Sequence, residues 1–498
     1  MASIRSLGGT LTAIVALTAP AALALAQSDR PTPPAQPETR AAEERMLEFR
    51  RRIEADYRAS RALRPPPRAA GPAANGIIEL PVDGSARRGS AKEESGPAAP
   101  EAAPDLARRA LGTARPPATP PPPCFGGPHS ASLLKVFPDV TWHVCVRDMG
   151  RTGLWVGPVH LRRTVGGPWI TVLYEAGLAD IFVPYHTTNF RPYDMRWTQG
   201  LSMLGPQDTG MNGSLIWLSG DPSPTVVAEV RERGIGWLCK GTSQPTYRAQ
   251  EFVVWGISDA GNYDNIIEFG FRDNGAMTFR MGNTGFNAQP VPSPLEPHTH
   301  NALWRVDMDL NGFPGDTAYW LTHGEPGPTV PLPQAQDVRT PLNVEGSRRW
   351  SEGENAGLLI EDNATNAFGN RLGYEFVPVD NMPSRHFGPD ENWTQNDVYV
   401  TRWSGNELSW IGPYFYPGPW LDPDHYLLTY LNGQSTNGQD LVVWVKSAVD
   451  HHPTDEDRSH ADLGTTNVTG VTPTHWSGFR VEPYNLFNSN PMGGPSSC

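Results

Sequence analysis

Apolar residues in this chain recur in short runs with a period of two, the spacing that sends alternate side chains to opposite faces of a strand. Residues 141–146, Thr-Trp-His-Val-Cys-Val, alternate in this way, and the runs 153–161 and 169–174 follow closely. Further runs lie at 252–255, 266–271, 302–310, 398–401 and 441–445, separated by Gly, Pro, Asn and Asp. Short strands punctuated by turn residues predict an all-β fold. No segment repeats at a fixed period, which argues against a propeller or a solenoid. The expected architecture is one large antiparallel β-sandwich over residues 124–498, long enough to bury a substantial core.

Upstream of Cys124 the pattern stops. Residues 27–123 are dominated by Pro, Ala, Arg and Glu, and runs such as Pro65-Pro66-Pro67 favour extended, solvated backbone. This Pro/Ala-rich extension is read as mostly disordered. Within it, residues 40–64 carry Met46, Phe49, Ile53 and Tyr57 along one side of a charged helix, and read as a solvated spacer. Residues 1–26 have the form of a secretory signal: Arg5, an Ala- and Leu-rich apolar stretch, and Ala24-Leu25-Ala26 before Gln27. The protein is therefore expected to be secreted or periplasmic, with no membrane span.

Composition supports this picture. Among 498 residues there are 50 Gly and 51 Pro, which suits a turn-rich β protein better than a helical bundle. A net charge of −13 argues against nucleic-acid binding by general electrostatics. An exported chain is free to form disulfides, and Cys124, Cys145, Cys239 and Cys498 leave three complete pairings open.

Candidate chemistry sits at three places. Tyr263 lies between Asn262 and Asp264, after one apolar run and before another; alone, this stretch reads as a turn. His298-Thr299-His300 would place two imidazoles on one side of a strand, and His451 follows a later run. All-imidazole ligation suits copper or zinc and is too nitrogen-rich for calcium or magnesium. Asp307, Asp309 and Asp440, helped by the backbone carbonyls of Met308 and Leu441, would form an oxygen-rich site for calcium or manganese.

Together these pieces resemble the copper amine oxidases, the topaquinone-dependent primary-amine oxidases, over most of residues 124–498. Asn262-Tyr263-Asp264-Asn265 is similar to the family's cofactor motif. His298-Thr299-His300 with Arg305-Val306-Asp307-Met308 resembles its copper His-x-His and following strand. Gly373-Tyr374-Glu375-Phe376-Val377-Pro378 and Val400-Thr401-Arg402-Trp403 match family segments, as do the approach to His451 and the closing run 478–491. The resemblance implies copper(II) bound by His298, His300 and His451, and a topaquinone made from Tyr263. It implies oxidative deamination of a primary amine to an aldehyde with dioxygen as acceptor, releasing ammonia and hydrogen peroxide. It also implies a homodimer.

The resemblance further implies a tyrosine bonded to the quinone, matched by Tyr185 in Phe182-Val183-Pro184-Tyr185, and a carboxylate base soon after it. Two residues compete for the base: Asp194, nearer Tyr185, and Asp208, in Asp208-Thr209-Gly210. Asp194 is preferred. With neither in place, the chain would be an inactive relative acting as a metal-binding or structural protein. A secreted lectin-like sandwich would account for the composition and leave the ordered motifs unexplained.

Overall fold

The computed structural model describes residues 78–79 and 120–493, apart from 164–166, 187–192, 197, 199, 211, 240–245, 286–295, 313–314, 324–336, 351–355, 383–391, 405–426 and 458–471. The signal-like segment and the 40–64 stretch lie outside the described residues. The expected all-β architecture is present. The described strands form a nine-stranded and a ten-stranded sheet. One hydrophobic core fills the space between them, with Trp142, Val144, Val306 and Val443 from one sheet meeting Phe252, Phe269, Phe279 and Phe479 from the other.

Several strands are longer than the hydrophobic runs that predicted them. The run 169–174 extends to Trp169–Phe182, and the run 441–445 extends to Leu441–His451. These strands are buried on both faces near the middle of the sheet, so alternation fades there and the sequence understates their length. The Pro/Ala-rich extension contributes one short strand, Ile78–Glu79, paired parallel to the edge strand Ser130–Val136. That pairing supplies hydrogen bonds to an edge that would otherwise stay open.

Two central strands of the first sheet matter most. His298–Met308 lies between Trp169–Phe182 and Leu441–His451, antiparallel to both. Facing them in the second sheet is Tyr263–Arg272, flanked by Thr246–Asp259 and Met277–Gly285. Tyr263 therefore opens a strand and does not sit in the turn that its local sequence suggests. Gly285 is its register partner, at φ +148, and a Cβ there would come within 2.1 Å of the Asn262 carbonyl oxygen. Only glycine allows the two backbones to approach so closely.

The sheets are locked together by aromatic packing. Trp304, on the His298–Met308 strand, stands edge-on to Phe269 at 5.7 Å, to Phe279 at 6.0 Å and to Phe479 at 6.1 Å. Phe279 and Phe479 are stacked at 4.7 Å. The Trp304 indole N–H donates to Ser447 Oγ at 3.1 Å, and Ser447 Oγ lies 3.1 Å from Ser477 Oγ across the sandwich. Burial with edge-to-face geometry makes this cluster a large term in stability. Trp304→Ala should lower unfolding free energy by about 3–5 kcal/mol, read as a lower urea midpoint at unchanged slope.

Candidate active site

Strand register assembles the three histidines. His298 and His300 are two residues apart on one strand, so their side chains share a face. On the neighbouring strand His451 is the direct partner of His298. Directly opposed residues in an antiparallel pair have close Cβ atoms, so the imidazoles converge without any loop rearrangement. The ligand atoms of His298, His300 and His451 all lie within 4.8 Å of one another. Tyr263 enters from the opposite sheet, and its ring lies edge-on to His300 at 4.6 Å. All four residues are at most 2% exposed.

The hydrogen bonds define which nitrogens face inward. His298 Nδ1 donates to the Glu296 carbonyl oxygen at 2.9 Å, which leaves Nε2 as a lone pair. His451 Nε2 faces the Asp457 carboxylate at 3.3 Å, outside hydrogen-bond geometry, and that charge favours the ring proton on Nε2 and the lone pair on Nδ1. These two lone pairs are 3.2 Å apart, and the Tyr263 hydroxyl lies 3.1 Å from His298 Nε2 and 3.0 Å from His451 Nδ1. One phenolic proton serves only one of them. His300 has no hydrogen-bond partner for either ring nitrogen among the described residues.

Burial sets the charge state. It pushes the His298 imidazole down to about 3, with smaller opposing help from the Glu296 carbonyl. It pushes His300 well below the ordinary histidine range, and neighbouring His298 and His451 add to this. Burial also holds the Tyr263 phenol well above its ordinary value. The pocket is thus three neutral imidazoles and a neutral phenol, dry and electron-rich, with too few protons to pair its lone pairs. That donor set fits a borderline-soft cation such as copper or zinc.

Around this centre, Tyr185 is buried and stacks on His298 at 4.5 Å. Asp194 is 5% exposed, accepts from Asn265 Nδ2 at 3.4 Å, and is one of the groups acting on the Tyr263 phenol. Asn265 stands two residues after Tyr263 on the same strand face, and its Oδ1 accepts from Asn283 Nδ2 at 2.5 Å. Asp208 instead accepts from its own turn, from the Gly205 amide at 2.6 Å and Gln207 Nε2 at 3.2 Å. Asn262 is half-buried beside Tyr263. His452, a potential rival ligand, is exposed and packs its ring against His186 at 6.5 Å. Sequence reading missed Asn283, which reaches the site through its register with Asn265, and His475, whose ring lies 4.5 Å from His451.

The second candidate site is also drawn together by register. Met308 and Leu441 are direct strand partners, which brings Asp307, Asp309 and Asp440 to one end of the sheet. Asp307 is not free for a cation alone: it accepts from Arg305 at 2.8 Å, and Arg305 also binds Glu175 at 2.7 Å. Asp316, unforeseen from sequence, joins the group through its bridge to Gln439; it is fully buried, and neither carboxylate oxygen has a hydrogen-bond partner among the described residues. Burial first, then neighbouring carboxylates, raises Asp309 to about 6. Burial first raises Asp307 to about 7, against the pull of Arg305.

Comparison with known proteins follows this geometry. The family described as copper amine oxidase, enzyme domain, matches residues 233–495. The chain is 25% identical over 272 residues to copper-containing amine oxidase 2 of Mus musculus, covering 49% of this chain and 34% of that protein. It is 26% identical over 270 residues to the liver isozyme of primary amine oxidase from Bos taurus, with 49% and 34% covered. The chain thus spans about a third of the length of these curated relatives. In fold it is similar to Pichia pastoris lysyl oxidase, with a TM-score of 0.59 at 20% identity over 77% of this chain and 56% of that one. It is also similar to a copper-containing benzylamine oxidase from Hansenula polymorpha, with a TM-score of 0.56 at 18% identity over 75% and 64%. Tyr185 and Asp194 precede the matched residues.

The raised carboxyls give a signed pH dependence. Asp307 and Asp309 bind protons more tightly folded than unfolded, so their contribution favours the fold below about pH 4 and is lost as pH rises through about 6 and 7. In chelator-treated protein the urea midpoint should carry that falling component between these limits, and millimolar calcium should remove it.

Proposed function

Because the chain belongs to the copper amine oxidase family, we propose that it oxidises a primary amine to an aldehyde, releasing ammonia and hydrogen peroxide. The observation that carries this reading is the Tyr263 hydroxyl lying within hydrogen-bond reach of two inward-facing imidazole nitrogens. His298, His300 and His451 would hold copper, and Tyr263 would be the precursor of topaquinone. When bound, copper with dioxygen supplies the oxidation of the tyrosine ring, and the quinone supplies an electrophilic carbonyl and an electron sink for the amine.

The chain's own residues do the rest. Asp457 and the Glu296 carbonyl fix the orientation of two imidazoles, so the ligand nitrogens point inward before any metal arrives. Burial keeps the imidazoles neutral, so no proton has to leave before they act as ligands. Tyr185, stacked on His298, lines the wall beside Tyr263 and acts on its phenol. Asp194 is the base: it takes the proton from the carbon next to the amine nitrogen. Asn265 and Asn283 hold its carboxylate over the face that carries Tyr263. Asn262, next to Tyr263, has its carbonyl packed against Gly285, which fixes the chain just before the ring. Asp307, Asp309 and Asp440, with the Met308 and Leu441 carbonyls, form a calcium or manganese site that steadies the far end of the His298–Met308 strand. The protein works outside the cytoplasm, as a homodimer.

The test is hydrogen peroxide release by copper-loaded protein from a panel of primary amines. Asp194→Asn should lower kcat about 100-fold or more, while Asp208→Asn should stay within about twofold of wild type. Equal losses in the two variants would remove Asp194 from this role. No peroxide from any amine, in wild type as in variants, would make the chain an inactive relative.

A further inference from the structure

A further cluster of side chains of metal-ligating type lies on the outer face of the first sheet, three strands along from His298–Met308. On the strand Thr141–Asp148, Trp142, Val144 and Val146 point into the core, while His143 and Cys145 share the opposite face. Cys145 forms a disulfide with Cys124. Cys239 is disulfide-bonded as well, and Cys498 lies outside the described residues. His143 Nε2 lies 3.9 Å from Cys124 Sγ. The ligand atoms of Cys124, His143 and Cys145 all fall within 4.8 Å of one another.

The surroundings look built for a ligand. His160 is the register partner of His143, and the two rings stack at 5.6 Å, 6° from parallel. Both histidines are at most 4% exposed, and burial holds both imidazoles down to about 4, so they are neutral. His143 Nδ1 and His160 Nε2 are buried with no hydrogen-bond partner among the described residues. Ser132 Oγ lies 2.7 Å from His143 Nε2, and Thr171 Oγ1 lies 3.2 Å from His160 Nδ1. The ladder shifts register between Val144 and Val146, so Cys145 has no direct partner on the next strand. What points to a ligand is the geometry: a neutral, buried imidazole turns Nε2 toward the sulfur pair, with only the Ser132 hydroxyl on that nitrogen.

We infer that the Cys124–Cys145 pair and His143 form a redox-gated Cu(I) site, closed while the disulfide is intact and open when it is reduced. A dithiol reductant supplies two electrons and two protons. The S–S bond breaks, two thiols form, and the reductant leaves as its own disulfide. Cu(I) then displaces both thiol protons to solvent and binds the two thiolates and His143 Nε2, taking the place of the Ser132 hydroxyl. Thiolates are soft ligands that select Cu(I), and three donors fall short of the four that structural zinc takes. His160 holds the His143 ring flat from behind. Copper is not oxidised or reduced in the process.

The experiment is a Cu(I) titration of the full chain, without oxygen, against a chromophoric Cu(I) chelator. It compares oxidised protein with protein reduced by a phosphine that is then removed. The His298, His300 and His451 cluster is present in both forms, and Cys239→Ser removes the other disulfide, so the oxidised-to-reduced difference in that variant counts the new site. Cys239→Ser should gain one Cu(I) on reduction, and Cys239→Ser combined with Cys145→Ser should gain none. His143→Gln retains the disulfide and, with its fold checked by circular dichroism, should bind the extra Cu(I) at least tenfold more weakly. The difference in X-ray absorption between the reduced and oxidised Cys239→Ser complexes should show two sulfurs and one nitrogen. No gain on reduction of Cys239→Ser, or a gain that persists when Cys145→Ser is added to it, would overturn the site. Unchanged affinity in His143→Gln would remove the imidazole and overturn it equally.

Discussion

Two nitrogen lone pairs held 3.2 Å apart, with a single phenolic proton between them, are the constraint from which the site's behaviour follows. The Glu296 carbonyl takes the outer proton of His298, and the Asp457 charge favours the outer proton of His451, so the inward nitrogens carry lone pairs. His300 adds two further nitrogens with no hydrogen-bond partner among the described residues. Burial forbids the simple remedy of protonating an imidazole, because a charged ring would lose its hydration. A cation would accept one lone pair from each ring, and the Tyr263 ring would then lie beside it without any movement of the backbone.

The fold holds this arrangement through register more than through loops. His298 opposes His451, Met308 opposes Leu441, and an unbroken ladder joins the two candidate metal sites. Tyr263 comes from the other sheet, so its distance to the histidines depends on how the sheets are spaced. Trp304 and its three phenylalanine neighbours set that spacing. Gly285 sets the approach of the Tyr263 strand to the next one. A one-residue slip of the His298–Met308 strand against its neighbours would turn the histidines to the wrong face.

Much of this was legible in the sequence. Period-two runs announced the sandwich, and His-x-His announced a shared strand face. His451 was legible through family resemblance alone, because nothing local shows which strand it will oppose. Asp194 and Asp208 looked comparable by spacing. They differ in three dimensions because the Phe182 to Tyr193 bridge folds the chain back and carries Asp194 toward Tyr263. Asn283 and Asp316 were illegible, since both reach their sites through cross-strand pairing. The pairing of Cys124 with Cys145 was likewise one of three options until the strands were in place.

The most direct measurement is the visible spectrum of purified protein after copper is added in air, followed by phenylhydrazine. A broad quinone band that shifts when the hydrazone forms, and that is missing in Tyr263→Phe, is the predicted result. Stoichiometric copper binding with no such band would contradict the account, because the ring would then sit beside the metal without being transformed by it.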